Sequence, residues 1–131
     1  FMNEIYMRMA EELAKASKAE KLKVGALAVR FKRIIGEGVN GTPPGTSNVC
    51  EDESMHTLPQ VIHAEQNLVY KAARDGSSTA GATLFCTVAP CFECSKAILS
   101  AGFTNVYYRH AYKNDAGIDF LREQGIPCEA L

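Results

Sequence analysis

Apolar residues recur along this chain first at helical spacing and then in short runs, and the two kinds of segment alternate to its end. Over residues 3–19, Ile5, Met9, Leu13 and Ala16 return at intervals of four, four and three, with Arg8, Glu11, Glu12 and Lys15 on the opposite side. That spacing predicts an amphipathic helix, with Asn3 placed to cap it. Residues 24–29 and 34–39 are apolar runs of strand length, and Phe31-Lys32-Arg33 between them predicts a turn, although no Gly or Asn marks it. Residues 40–48 are almost all turn formers, Asn, Gly, Thr, Pro and Ser, so a loop is expected across 40–60. The cluster Cys50, Glu51, Asp52 and Glu53 inside it reads as solvated.

Helical spacing returns over 62–74, with Ala64, Leu68 and Ala72 on one face and Gly76 as a stop. Residues 82–88 predict a strand, which Pro90 breaks while opening a third helix that buries Ala97, Ile98 and Ala101. A strand over 105–109, a helix from Asn114 to Glu123 closed by Gly125, and a short strand from 126 complete the order α-β-β-α-β-α-β-α-β. Strand–helix–strand units pair in parallel through right-handed crossovers, whereas the first two strands form a hairpin. The expected fold is α/β: a three-layer α-β-α domain over residues 1–131, its mixed five-stranded sheet covered by helices on both faces.

Composition adds limits. With 131 residues, 47% of them hydrophobic and 22% charged, the chain suits one globular core. A net charge of −1 offers no basic surface, so neither nucleic acid nor a membrane is an expected partner. No apolar run approaches the roughly 20 residues of a membrane span, and no leader pattern is present. Phe1, ahead of Met2, reads as a leftover residue before the natural start. Five cysteines suggest a reduced, intracellular chain and not a disulfide framework. Cys86 and Cys128 read as small packing residues, and His56 and His110 as surface histidines.

The chemistry concentrates in His63-Ala64-Glu65 and Pro90-Cys91-Phe92-Glu93-Cys94. Zinc takes imidazole nitrogen and thiolate sulfur, and a catalytic site keeps three protein ligands and one open position. His63, Cys91 and Cys94 supply three. Cys91 and Cys94 are three apart, so a helix places them on one face, and its N-terminus favours thiolate. Glu65 falls roughly 200° round a helix from His63, off the ligand side and free to carry protons. His-x-Glu followed by Pro-Cys-x-x-Cys is the signature of zinc-dependent nucleobase deaminases.

With these residues in place, the chain resembles the cytidine deaminase-like superfamily. The stretch Gly38-Val39-Asn40-Gly41-Thr42-Pro43-Pro44-Gly45, ending in Asn48-Val49-Cys50-Glu51, resembles its deoxycytidylate (dCMP) deaminases, as do Lys23-Val24-Gly25-Ala26 and Tyr112-Lys113. The resemblance implies hydrolysis of dCMP to dUMP and ammonia, feeding thymidylate supply in the cytoplasm (the host's, for a phage-encoded chain). It implies Zn2+ on His63, Cys91 and Cys94, with Glu65 as general acid/base. Lys21 and Lys23 stand where some phage relatives place a Cys of a second, structural zinc, so one ion per chain is expected. By the same resemblance Asn40 and Thr42 meet the sugar end, the main chain at Ala64 and Ala89 reads the pyrimidine, and Tyr112 closes the pocket. It further implies a homohexamer activated by dCTP and inhibited by dTTP, with Mg2+ accompanying the triphosphates. Lys32, Arg33, Gly41, Gly45 and Arg74 are the candidate effector contacts. Three alternatives stay open: a cytidine or cytosine deaminase, a tRNA adenosine deaminase, and a non-catalytic zinc module with Cys50 as fourth ligand.

Overall fold

The computed structural model describes residues 2–131; Phe1 lies outside them. The elements run α1 (Met2–Ala14), β1 (Gly25–Arg30), β2 (Arg33–Val39), α2 (Ala64–Asp75), β3 (Thr83–Val88), α3 (Phe92–Ser100), β4 (Asn105–His110), α4 (Ala116–Glu123) and β5 (Cys128–Ala130). The order is the one expected. One five-stranded sheet runs β2-β1-β3-β4-β5. β1 is antiparallel to β2 and to β3, while β3–β4 and β4–β5 are parallel, so the sheet is mixed as the connections require.

Side chains alternate across β1 and divide the core in two. Leu27 and Val29 join Phe85 under Tyr6, Met7 and Ala10 of α1. Ala26 and Ala28 face the other way, with Leu84, Cys86 and Val106, towards α2, α3 and α4. Tyr6, Phe85 and Tyr107 form an aromatic column with ring centroids 5.4 and 5.2 Å apart. Arg109 of β4 secures α1 from the side, its guanidinium donating to Glu4 at 2.6 Å and to Glu11 at 3.1 Å.

α1 departs from expectation in length and in face. Its buried residues are Tyr6, Met7, Ala10 and Ala14, whereas Met9 and Ala16 are exposed. The helix carries apolar residues on two sides, and spacing alone does not say which one meets the sheet. It stops at Ala14 because the chain turns there, with Lys15, Ala16 and Ser17 donating to carbonyls three residues back. Asn3 sits inside the helix and not at its cap.

Residues 15–24 then form an irregular strap held by side chains. Ser17 donates to the Asn40 carbonyl at 2.7 Å, Lys23 donates to the carbonyls of Ser17 and Ala19, and Asn40 accepts from the Val24 N–H at 2.8 Å. Glu51 completes the strap. It is buried, not solvated as its acidic neighbourhood suggests, and its carboxylate accepts from the N–H groups of Glu20 and Lys21, both at 3.1 Å.

The turn between β1 and β2 narrows to Phe31 and Lys32, with φ of 51° and 62°. Two consecutive left-handed residues match the twist of a tight hairpin, which explains a turn with neither Gly nor Asn. Arg30 ties this tip to the loop after α2, donating to the carbonyls of Ser78 and Ala80. At the opposite end of β2, a Cβ on Gly38 would stand 2.5 Å from the Ala64 carbonyl oxygen and 2.6 Å from the Leu68 nitrogen. Only a glycine lets the first turn of α2 lie that close to the sheet. Asn67 donates to the Val39 carbonyl, and Lys71 pairs with Glu37, fixing α2 along β2. Among the described residues no helix is long and apolar enough to cross a membrane.

Candidate active site

Two helix N-termini meet at one point. His63 is the N-cap of α2 in extended backbone (φ −69°, ψ 156°), and its N–H donates to the Gln66 side chain at 3.2 Å. Cys91 is the N-cap of α3 (φ −72°, ψ 172°), and its sulfur accepts from the Cys94 N–H at 3.4 Å. The helix therefore starts at Phe92, two residues after the Pro90 expected to open it, and Cys94 is its third residue. His63 Nδ1 lies 3.2 Å from Cys94 Sγ and 3.5 Å from Cys91 Sγ. The three ligand atoms lie within 4.8 Å of one another, and no other group of three among the described residues does so. Cys50 is not part of it.

The electrostatics suit a cation. The Cys91 thiol is drawn down to about 4, first by its bond with Cys94, then by His63 and the helix N–H. Cys94 moves upward, because its neighbour already holds the negative charge and because it is buried. His63 is raised by the Cys91 thiolate. Without metal the two sulfurs thus share one proton. A borderline-soft dication that displaces it would meet one nitrogen and two sulfurs, the donor set preferred by zinc, so the residues fit that ion.

Glu65 sits beside the trio on the first turn of α2, only 5% exposed. Burial pushes its carboxyl upward, which makes the protonated form more accessible. The side chain lines a cavity of about 340 Å³ together with His63, Cys91, Ala64, Ala89, Asn40 and Tyr112. Seven of the expected site residues therefore share one wall with Glu65 or complete the ligand set: His63, Cys91, Cys94, Asn40, Ala64, Ala89 and Tyr112. Thr42 does not line the cavity. Gly41 pairs with Ile62 in an antiparallel bridge, and Gly45 has φ of 83° within the same loop.

The remaining candidates lie elsewhere. Lys32 and Arg33 are exposed at the hairpin tip, and Arg74 pairs with Asp75 at the far end of α2. β1 and α2 each carry the chain about 20 Å from the cavity to that end. Within one protomer, the five effector candidates do not form one site. Conversely, Lys21, Leu22, Glu51 and Lys113 line the cavity and were not expected there. Lys113 stands beside Tyr112, its Nζ 5.5 Å from the ring centroid. The pairing Tyr112-Lys113 was visible in the sequence, but only the bend after β4 turns it towards the site.

Residues 2–110 match the family described as the cytidine and deoxycytidylate deaminase zinc-binding region. The chain belongs to this family. Its structure superimposes on the crystal structure of dCMP deaminase from cyanophage S-TIM5 in complex with dCMP and dUMP, with a TM-score of 0.95 and 44% identity over 99% of this chain and 96% of that one. ComE operon protein 2 of Bacillus subtilis is 36% identical over 98% of this chain and 70% of its own length. Deoxycytidylate deaminase of enterobacteria phage T4 is 31% identical over 92% of this chain and 84% of its own length. As a deaminase-family chain, it carries the mixed α/β sheet and the His/Cys/Cys group where its sequence motifs lead.

Proposed function

We propose that this protein hydrolyses dCMP to dUMP and ammonia, using zinc held by His63, Cys91 and Cys94 and a proton carried by Glu65. The observation that supports it most is the near-complete overlap with a deaminase whose structure contains dCMP and dUMP, at a TM-score of 0.95. When bound, zinc would supply acidity to a water, lowering its pKa from that of bulk water to about 7. The protein does the rest. Ala64, as the first residue of α2, has an N–H with no partner inside its helix. The Ala89 N–H is already spent on the His110 carbonyl, so Ala89 offers its carbonyl oxygen. A donor at Ala64 and an acceptor at Ala89 complement the O2 oxygen and the 4-amino group of a cytosine ring. As the water oxygen bonds to C4 of a ring held this way, Glu65 would accept the water proton and deliver it to N3; it would then take the second proton from the new C4 hydroxyl and pass it to the amino group, so that C4=O forms while the C4–N bond breaks and ammonia leaves.

Charge supports a nucleotide over a nucleoside. Lys21 and Lys113 face the cavity, and Asn40 braces the strap on which Lys21 stands. We assign the 5′-phosphate to these two cations and the deoxyribose to Asn40. A free base or nucleoside leaves the lysines without a purpose, a tRNA needs a basic surface that a net charge of −1 does not offer, and a structural zinc module leaves Glu65 without a role. The test compares kcat/KM for dCMP and deoxycytidine in the native protein and in Lys113→Ala. The native protein should favour dCMP strongly, and Lys113→Ala should lose about tenfold or more on dCMP alone, the value of a charge-assisted bond of roughly 1.5–3 kcal/mol. Equal kcat/KM for the two substrates in the native protein would overturn the nucleotide reading.

Effector control belongs to the same proposal: activation by dCTP with Mg2+, inhibition by dTTP, in a homohexamer. Lys32 and Arg33 lie at the hairpin tip, and Arg30 ties that tip to the loop following Arg74 and α2. With Gly41 and Gly45 at the other end of the sheet, a triphosphate site using both groups has to join two protomers. The expected dCMP saturation curve is sigmoidal, made hyperbolic by dCTP and pushed rightward by dTTP, with a hexamer by light scattering. Superimposable curves, or a monomer at assay concentration, refute this part and leave the chemistry intact.

A further inference from the structure

α4 begins against the loop that carries the first zinc-ligand cysteine, and a glycine sits at the contact. Gly117, buried as the second residue of α4, packs so closely that a Cβ there would stand 2.2 Å from the Pro90 carbonyl oxygen, 2.7 Å from the Cys91 carbonyl oxygen and 2.6 Å from Ser95 Oγ. Its φ lies outside the left-handed region, so the glycine answers a demand for space and not for backbone freedom. Ser95, completely buried, holds the same carbonyl from within α3: its hydroxyl donates to the Cys91 oxygen at 3.0 Å, and its N–H donates at 2.9 Å. The backbone of Cys91 is thereby gripped by Ser95 and covered by Gly117.

We propose that Gly117 and Ser95 are positioning residues for the Cys91 ligand, fixing the peptide from which its sulfur is aimed at the metal. The inference rests on the reading that His63, Cys91 and Cys94 hold zinc. A methyl at 117 has to open the tightest contact by about 0.8 Å to reach the 3.0 Å below which real Cβ atoms do not go. Metal–ligand distances tolerate only about 0.2 Å. α4 is poorly placed to absorb the shift, because Ile118 and Leu121 anchor it in the core and Phe120 meets Phe92 edge-on with centroids 5.3 Å apart. The movement therefore falls on the Pro90–Cys91 peptide and displaces the sulfur.

The experiment measures zinc affinity by competition with a chromophoric chelator, and the absorption spectrum of the Co2+-substituted protein, for the full chain and three variants. Gly117→Ala should weaken zinc by about 10–100-fold, the usual cost of losing an outer partner of a metal ligand, and should shift the thiolate-to-cobalt bands. Ser95→Ala adds no atoms and should move both readouts in the same direction by about tenfold, with the metal-free unfolding midpoint close to that of the parent. Gly36→Ala is the control: its Cβ meets side-chain atoms alone, of Leu68 at 3.4 Å and of Ala28 at 3.9 Å, and zinc affinity should not change. Native zinc affinity and an unaltered cobalt spectrum in Gly117→Ala overturn the proposal, even if that variant unfolds more easily. If Gly117→Ala does not fold, the same result in Ser95→Ala overturns it. A parent protein that binds neither zinc nor cobalt removes the zinc reading itself, and the proposal with it.

Discussion

Replacing Glu65 by glutamine should lower dCMP turnover by about 10²–10⁴-fold, the usual worth of a positioned acid/base, and leave one zinc per chain. The amide keeps the shape of the side chain, which is 5% exposed and closely surrounded. It cannot take a proton from water or return one to a leaving amine. Because Glu65 is not one of the three clustered ligand residues, metal content should not follow activity downward. The decisive pair of measurements is kcat and zinc stoichiometry on the same preparation. A folded Glu65→Gln protein with native kcat would mean that another group carries the proton.

Removing both sulfurs should be more drastic still. In Cys91→Ala combined with Cys94→Ala, His63 remains as a single ligand, and zinc should fall from one per chain to none. Turnover should disappear with it. The native protein, in turn, should gain thermal stability as free zinc rises, by RT ln(1 + [Zn]/Kd), while the double variant should not respond. Metal analysis and melting curves with and without added zinc check this. Two ions per native chain, or an ion retained by the double variant, would contradict the assignment of these residues as the ligand set.

The parts of this protein that were legible in its sequence are those with short spacing. His63 and Glu65 are two residues apart, and Cys91 and Cys94 are three apart, so one turn of helix settles each pair. The strand and helix order followed for a related reason, since period 2 and period 3.6 are local properties. What escaped depends on contacts between distant segments. Glu51 looked solvated among acidic neighbours, yet it is buried because the strap after α1 brings the N–H groups of Glu20 and Lys21 to its carboxylate. Lys21 and Lys113 share a cavity only once α1 ends early and the loop after β4 turns inward. Gly117 carried no motif at all, and its importance comes from a carbonyl 27 residues earlier in the chain that lies against it. The effector candidates show the converse: residues chosen for charge and loop chemistry were placed by the fold at opposite ends of the sheet.

The bond between Arg109 and Glu4 has a consequence for how this chain is born. α1 leaves the ribosome well before β4, since the partner of Glu4 lies 105 residues downstream. At about 5–20 residues per second, that is a wait of roughly 5–20 s. Leu27 and Val29 arrive early enough to meet Met7, whereas Phe85 and Tyr107 come late. Tyr6 must wait for both rings before its aromatic column is complete. Until β4 emerges the first helix is thus a sticky, half-finished surface, and α4 and β5 add the last of the core after that.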